Sequence, residues 1–172
     1  MSAGTLGAIV FDITTCQPLI LSNRRVVAGA SDAAAGEPVA QPGRVDGARV
    51  PGDAVATPTR MELDSRMEAA VATLNGTRPY CRDMLGLGTI SGAEPAVLEM
   101  SLVKSGRRTG STDVEISRGG DSASVWMNES TNKASGLHFA GETDPASASP
   151  VISATPVSRC VRPRPHSSSS KR

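Results

Sequence analysis

Gly119-Gly120-Asp121-Ser122-Ala123-Ser124-Val125-Trp126 combines a glycine-rich turn, one presented serine and the start of an apolar strand. A second strand signal downstream ends in Gly136-Leu137-His138-Phe139-Ala140-Gly141, so the serine turn leads into a β-rich hairpin. Acyl transfer asks for residues in this order. Its nucleophile is a hydroxyl on a tight turn whose own backbone N–H groups face the developing oxyanion, because preorganised donors are usually the largest catalytic contribution. Gly120 and Ser122 are the expected source of those two N–H groups, and glycine permits positive φ and close approach of a substrate. Asp121 is expected to be buried and paired, which locks such a turn. Gly-Asp-Ser alone is also an ordinary loop tripeptide, so the rest of the chain has to supply the context.

Upstream, the pattern is one of short strands. Gly4 to Val10 and Pro18 to Val27 are rich in Val, Ile and Leu and bounded by glycine or proline, which predicts two strands with a turn near Thr14-Thr15. From Gly29 to Thr59 the composition changes to Ala, Gly, Pro and Asp, predicting a long loop with one short strand around Val39. Arg60 to Leu74 fits either a helix, with Met61, Leu63, Met67, Ala70, Val71 and Leu74 partly on one face, or a loop ending in a strand at Ala69 to Leu74. A loop through Pro79 and Gly92 precedes a predicted strand from Ala96 to Lys104 and a glycine-bounded turn, Ser105 to Gly110. Several short strands with glycine turns indicate a barrel or a sandwich.

Length and charge bound the function. At 172 residues with a net charge of +1, the chain is expected to be one domain with no electrostatic case for nucleic acid. Five cations and no acid lie from Arg159 onward; taking those five from +1 leaves −4 for the remainder, a sign that does not recruit phosphate. Leu, Ile, Val and Phe make up 33 of the 172 residues, a thin core in which alanine and valine packing must carry weight. Cys16, Cys81 and Cys160 are far apart and are read as free thiols; with two histidines in the chain no metal site is expected, and no cofactor. The apolar run from Leu6 to Ile13 is too short for a signal or a membrane span, so a soluble, cytoplasmic chain is expected, with no membrane partner. Residues 158–172 are proline- and serine-rich with a basic end and are expected to be a disordered tail after a domain over residues 1–157.

Taken in order, Gly4 to Val10, Ile20-Leu21-Ser22-Asn23, Gln41-Pro42-Gly43, Ala69-Ala70-Val71-Ala72, Lys104-Ser105-Gly106-Arg107, Gly119 to Trp126 and Gly136 to Gly141 resemble the trypsin-like serine peptidases of the bacterial and plant narrow-leaf type. The resemblance covers roughly Gly4 to Ile152. It implies a mostly β chain with a chymotrypsin-like double barrel, a peptide or protein substrate, and a triad in the chain order His, Asp, Ser. The nucleophile falls on Ser122, with the Gly120 and Ser122 N–H groups as oxyanion hole. The acid position, just before Ala69-Ala70, holds Glu68, and the base position, just before Val26, holds Arg25. The resemblance also favours the strand reading of Ala69 to Leu74, which follows the acid in the family.

These positions depart from the family pattern in unequal degree. Glutamate keeps the charge of aspartate and serves as the orienting acid in some hydrolases. Arginine removes the chemistry, because a guanidinium stays protonated at any working pH and cannot accept the serine proton. His138 is expected to be a satisfied strand histidine rather than a substitute base, and Arg25 and Glu68 are expected to pair where the imidazole would stand. Ala123 replaces the glycine that usually follows the nucleophile, a strained choice if that position needs positive φ. Only Ser111 to Arg118 separates Gly110 from Gly119, about a hairpin fewer than in the family. An incomplete second barrel with exposed edges follows, and such edges favour association. Three readings stand: a serine endopeptidase, a non-catalytic peptide- or partner-binding relative, and a truncated product without stable function.

Overall fold

The computed structural model describes residues 3–29, 37–63, 68–114, 116, 118–139 and the backbone of 148–150. Strands dominate. β1 (Ala8–Phe11), β2 (Pro18–Ser22), β3 (Val39–Ala40), β4 (Ala54–Leu63) and β5 (Glu68–Leu74) form an antiparallel sheet in the order β1-β2-β5-β4-β3. β6 (Asp83–Met84) and β7 (Gly88–Thr89) make a small separate pair. A second sheet contains β8 (Gly92–Ala93), β9 (Leu102–Gly106), β10 (Gly110–Asp113), β11 (Val125–Asn128), β12 (Lys133–His138) and β13 (Ala148–Pro150). Its order is β10-β9-β11-β12-β13, with β8 running parallel to β12. Among the described residues, neither hydrogen-bonded order returns to its first strand.

Local chemistry explains the elements. The β1–β2 turn is held by Asp12, whose Oδ1 accepts the Thr14 and Thr15 N–H groups at 3.0 and 2.8 Å, while its carbonyl accepts the Cys16 N–H at 2.8 Å. Pro58 sits where the β4–β5 register shifts, the position in a ladder where a residue without an N–H is tolerated. Ile20 and Ser22 are buried on β2 and face Ala72 and Ala70 of β5, so one face of the pair turns inward with the two-residue period of a strand. β11 is different: all four of its residues are buried, as expected of a strand covered on both faces.

Each sheet has its own core. Ile20, Val27, Val55, Ala56, Ala70 and Ala72 pack in the first; Met84, Val103, Ala123, Val125, Met127, Ala134 and Leu137 pack in the second, joined by Ala8 of β1. Six of these fourteen are alanines, in line with a chain poor in large apolar residues.

Several element boundaries differ from the sequence reading. The expected strand from Pro18 to Val27 ends at Ser22, and Arg24–Val27 is a helical turn, α1, because the Asn23 carbonyl accepts both the Val26 and Val27 N–H groups at 3.0 Å. The expected loop before Thr59 gives way to strand at Ala54, and β4 continues to Leu63 where a loop was expected, because β5 pairs with it on both sides of the register shift at Pro58–Arg60. The strand expected from Ala96 begins at Leu102, and the expected loop through Gly92 contains β6, β7 and part of β8. Tertiary pairing decides such short elements, since propensity is weak over two or three residues. Strand at Ala69 to Leu74, the short strand at Val39 and the turn at Thr14-Thr15 are present. The tail from Ser158 lies outside the described residues. Cys81 is a free, exposed thiol, whereas Cys16 is disulfide-bonded, against the expectation of a free thiol.

Candidate active site

Ser122 lies in the loop between β10 and β11, and the loop is fixed by the residue before it. Asp121 is fully buried and its carboxylate collects five donors. Oδ1 accepts the Arg108 and Thr109 N–H groups at 2.9 and 3.2 Å; Oδ2 accepts the Arg118 N–H at 3.0 Å, the Thr109 hydroxyl at 2.9 Å and Lys104 Nζ at 3.1 Å. Lys104 is itself fully buried on β9, so the two charges form a buried pair. Burial works to raise the Asp121 pKa, but the donors from Arg108, Thr109, Arg118 and Lys104 outweigh it and hold the carboxyl at about 2. A carboxylate so placed stays ionised and ties the serine loop to the β9–β10 hairpin. Close packing enforces the same arrangement: a Cβ on Gly106 would fall 2.5 Å from Asp121 Oδ1.

The backbone around Ser122 is equally constrained. Gly120 has φ +107° and Ala123 has φ +75°, so the position after the serine does need the left-handed region, and alanine occupies it under strain. The Ser124 N–H and hydroxyl both donate to the Asp121 carbonyl, at 2.9 and 2.6 Å. On the other side of Ser122, its carbonyl accepts the Thr5 N–H at 2.9 Å and the Ala123 N–H donates to the His138 carbonyl at 2.7 Å. The Thr5 hydroxyl donates to the Gly120 carbonyl at 3.1 Å and accepts the Arg107 N–H at 2.9 Å. Ser122 itself is half-buried between buried neighbours. Among the described residues, no hydrogen bond occupies its hydroxyl, its N–H or the Gly120 N–H.

Arg25 and Glu68 meet as expected. The Arg25 backbone N–H donates to Glu68 Oε1 at 3.0 Å, and Arg25 Nε lies 3.6 Å from Oε2. The Arg25 side chain is 44% exposed and that of Glu68 12%, so the pair sits at the surface with its carboxylate side sheltered. α1 places Arg25 and β5 places Glu68. Among the described residues no hydrogen bond links either of them to Ser122. The two regions are nonetheless close: a Cβ on Gly4 would fall 2.3 Å from Val26 Cγ2 and 3.1 Å from the Ser122 carbonyl oxygen.

His138 is buried at the end of β12, its ring 6.1 Å from that of Trp126. Burial, then the Lys104 charge, push its pKa down against the opposing pull of Asp121. A neutral imidazole in that setting is a packed strand histidine, and Arg25 adds to the charges that disfavour its protonation. Asn23, also buried, donates its side-chain N–H to the His138 carbonyl at 2.8 Å and so stitches the two sheets together. Asn23 is the N-cap residue of α1, but its side chain makes no capping bond.

Thr5, Asn23, Lys104, Thr109 and Ser124 carry this arrangement and none was singled out from the sequence. Only Lys104 left a signal, a cation directly after the apolar pair Leu102-Val103 at the end of a predicted strand. A cavity of about 1270 Å³ is lined by Ile9, Ile20, Val27, Val39 and Val55 with Arg24 on its wall; neither Ser122 nor Gly120 lines it. It runs from the first sheet to the supports of the serine turn, with Gly4, Thr5, Arg25, Gly106 and Arg107 also lining it. Among the described residues there is no cluster of three or more metal-ligating side chains, and no helix is long and apolar enough to cross a membrane.

Compared with known protein families, the chain matches no family model, and a comparison with curated proteins likewise returns no match.

Proposed function

We propose that this chain is a serine peptidase-like domain that has lost turnover and serves as a non-catalytic binder of peptides or protein partners through the surface around Ser122. Its two sheets are read as the remains of a chymotrypsin-like double barrel with the second barrel incomplete. One observation carries the reading: Arg25 and Glu68, at the expected base and acid positions, are bonded to each other, while the Ser122 turn keeps a buried carboxylate lock. Ser122 then has an exposed-side N–H and hydroxyl but no base. Arginine cannot take the hydroxyl proton. In hydrolases of known mechanism, loss of the base lowers turnover by about 10⁶, which leaves recognition as the remaining use of the site.

A fluorophosphonate probe tests this. The wild-type chain is expected to resist labelling, and Arg25→His to gain labelling at Ser122 that Ser122→Ala abolishes. Rapid labelling of wild-type Ser122 would restore the endopeptidase reading. Absence of labelling in Arg25→His would remove the peptidase ancestry of the site. A coil-like far-ultraviolet circular dichroism spectrum without a cooperative melt would instead establish a product with no stable fold.

A further inference from the structure

We infer that Ser124 is a positioning residue for the Ser122 turn: its buried hydroxyl, donated to the Asp121 carbonyl, sets the direction of the Ser122 N–H and so makes that N–H an oxyanion donor. This rests on the peptidase-like reading of Ser122. The argument is one of peptide geometry. The Asp121 carbonyl and the Ser122 N–H belong to one planar, trans peptide unit and point in opposite directions. Whatever holds the carbonyl therefore aims the N–H. The carbonyl is held twice by Ser124, through its N–H at 2.9 Å and its hydroxyl at 2.6 Å, and Ser124 is fully buried. The carbonyl is turned inward, and the N–H must face the open side of the turn.

The next peptide unit cannot compensate by rotating. Its carbonyl is tied to the Thr5 N–H at 2.9 Å and its own N–H to the His138 carbonyl at 2.7 Å. Both units flanking Ser122 are thus pinned from the protein side. Ser122 contributes the unspent N–H, since among the described residues no acceptor lies on it. An inward flip of the 121–122 unit would break both Ser124 bonds and bring the Asp121 carbonyl to the place where an oxyanion would sit. A second hydrogen bond on that carbonyl opposes the flip, and a hydroxyl in a fully buried place costs free energy when its bond is lost.

Two measurements test the inference. In the wild-type chain, amide hydrogen exchange is expected to be fast at Ser122 and slow at Ala123 and Ser124, whose N–H groups are bonded; slow exchange at Ser122 would overturn it. In an Arg25→His background, Ser124→Ala is expected to slow fluorophosphonate labelling of Ser122 by about tenfold to a hundredfold, short of the loss of a whole oxyanion donor. It is also expected to move the ³¹P resonance of the phosphonyl adduct, which reports hydrogen bonding to the phosphoryl oxygen. Ser135→Ala is the control, a buried serine whose hydroxyl donates to Met100 Sδ at 3.5 Å; it is expected to leave rate and resonance alone. If Arg25→His labels and Ser124→Ala labels equally fast with an unshifted resonance, the role of Ser124 is refuted and the peptidase-like reading stands. If Arg25→His does not label at all, that reading falls, and the inference with it.

Discussion

The Ser122 turn and the Arg25–Glu68 pair lie close together in the fold and are held by opposite means. Five donors converge on a fully buried Asp121 carboxylate in the turn, and both peptide units around Ser122 are bonded. A half-exposed arginine rests on a sheltered glutamate at the pair. The difference teaches where sequence change is tolerated. A buried network fails as a whole when one member is removed, whereas a surface ion pair can replace another pair of side chains at small cost. On the proposed reading, the turn's buried network would outlast a lost base for this reason.

The largest effect is expected from Asp121→Ala, which leaves Lys104 charged and unpaired in the core. About 3–5 kcal/mol of unfolding free energy should be lost, read as a lower midpoint in chemical denaturation. If the midpoint moves no further than it does for Arg25→Ala, the contrast between the two regions is false. Next comes Gly7→Ala, whose Cβ would fall 2.5 Å from the Ala123 carbonyl oxygen and 2.8 Å from that of Leu21. Backbone cannot move aside as a flexible side chain does, so a cost of about 1–3 kcal/mol is expected. Thermal unfolding checks this, and an unchanged melt would show that the segment ahead of β1 does not buttress the serine turn.

Acid should reveal the same lock. Asp121 is held at about 2 against an ordinary value of 3.8, so it contributes stability that is complete above the unfolded pKa and is lost as pH falls from about 4 towards 2. The contribution is about 2 kcal/mol. Comparing the acid limb of wild type with that of Asp121→Asn isolates it, and identical limbs would refute the assignment. His138 acts in a separate window: its lowered pKa means that the folded chain resists protonation, so stability should start to fall below the ordinary histidine value of 6.5. The smallest effect belongs to Arg25→Ala, at most about 1 kcal/mol for a pair this exposed. Glu68→Ala should cost more than Arg25→Ala, since it also strips the Arg25 backbone N–H of its acceptor.

The strand-rich character was legible in the sequence, and so were the β1–β2 turn, the strand after Glu68 and the burial of Asp121. The strand after Glu68 was legible through the resemblance, which decided between strand and helix; the others rest on local signals, glycine and proline boundaries or a charged residue inside a glycine turn that must be paired if it is buried. The Arg25–Glu68 contact was legible through resemblance alone, because 43 positions separate the two residues. What stayed hidden was the set of supports. Thr5 binds groups 102 and 115 positions away, and Asn23 reaches His138 across 115; a threonine and an asparagine carry no mark of such partners. The helical turn at Arg24–Val27 was hidden too, since two arginines followed by two valines favour strand as readily as helix.

By itself the sequence determined the composition of the core, the strand-rich character and the presence of a Gly-Asp-Ser turn, all consequences of residues near one another in the chain. Only the tertiary structure decided that Lys104 is the partner of Asp121, that Ala123 must sit at positive φ and that Ser124 bonds the Asp121 carbonyl. Those facts depend on where the β9–β10 hairpin, the first residues and β12 come to rest against the loop. Burial turns each such meeting into a commitment, because a polar group taken out of water must find its partner there.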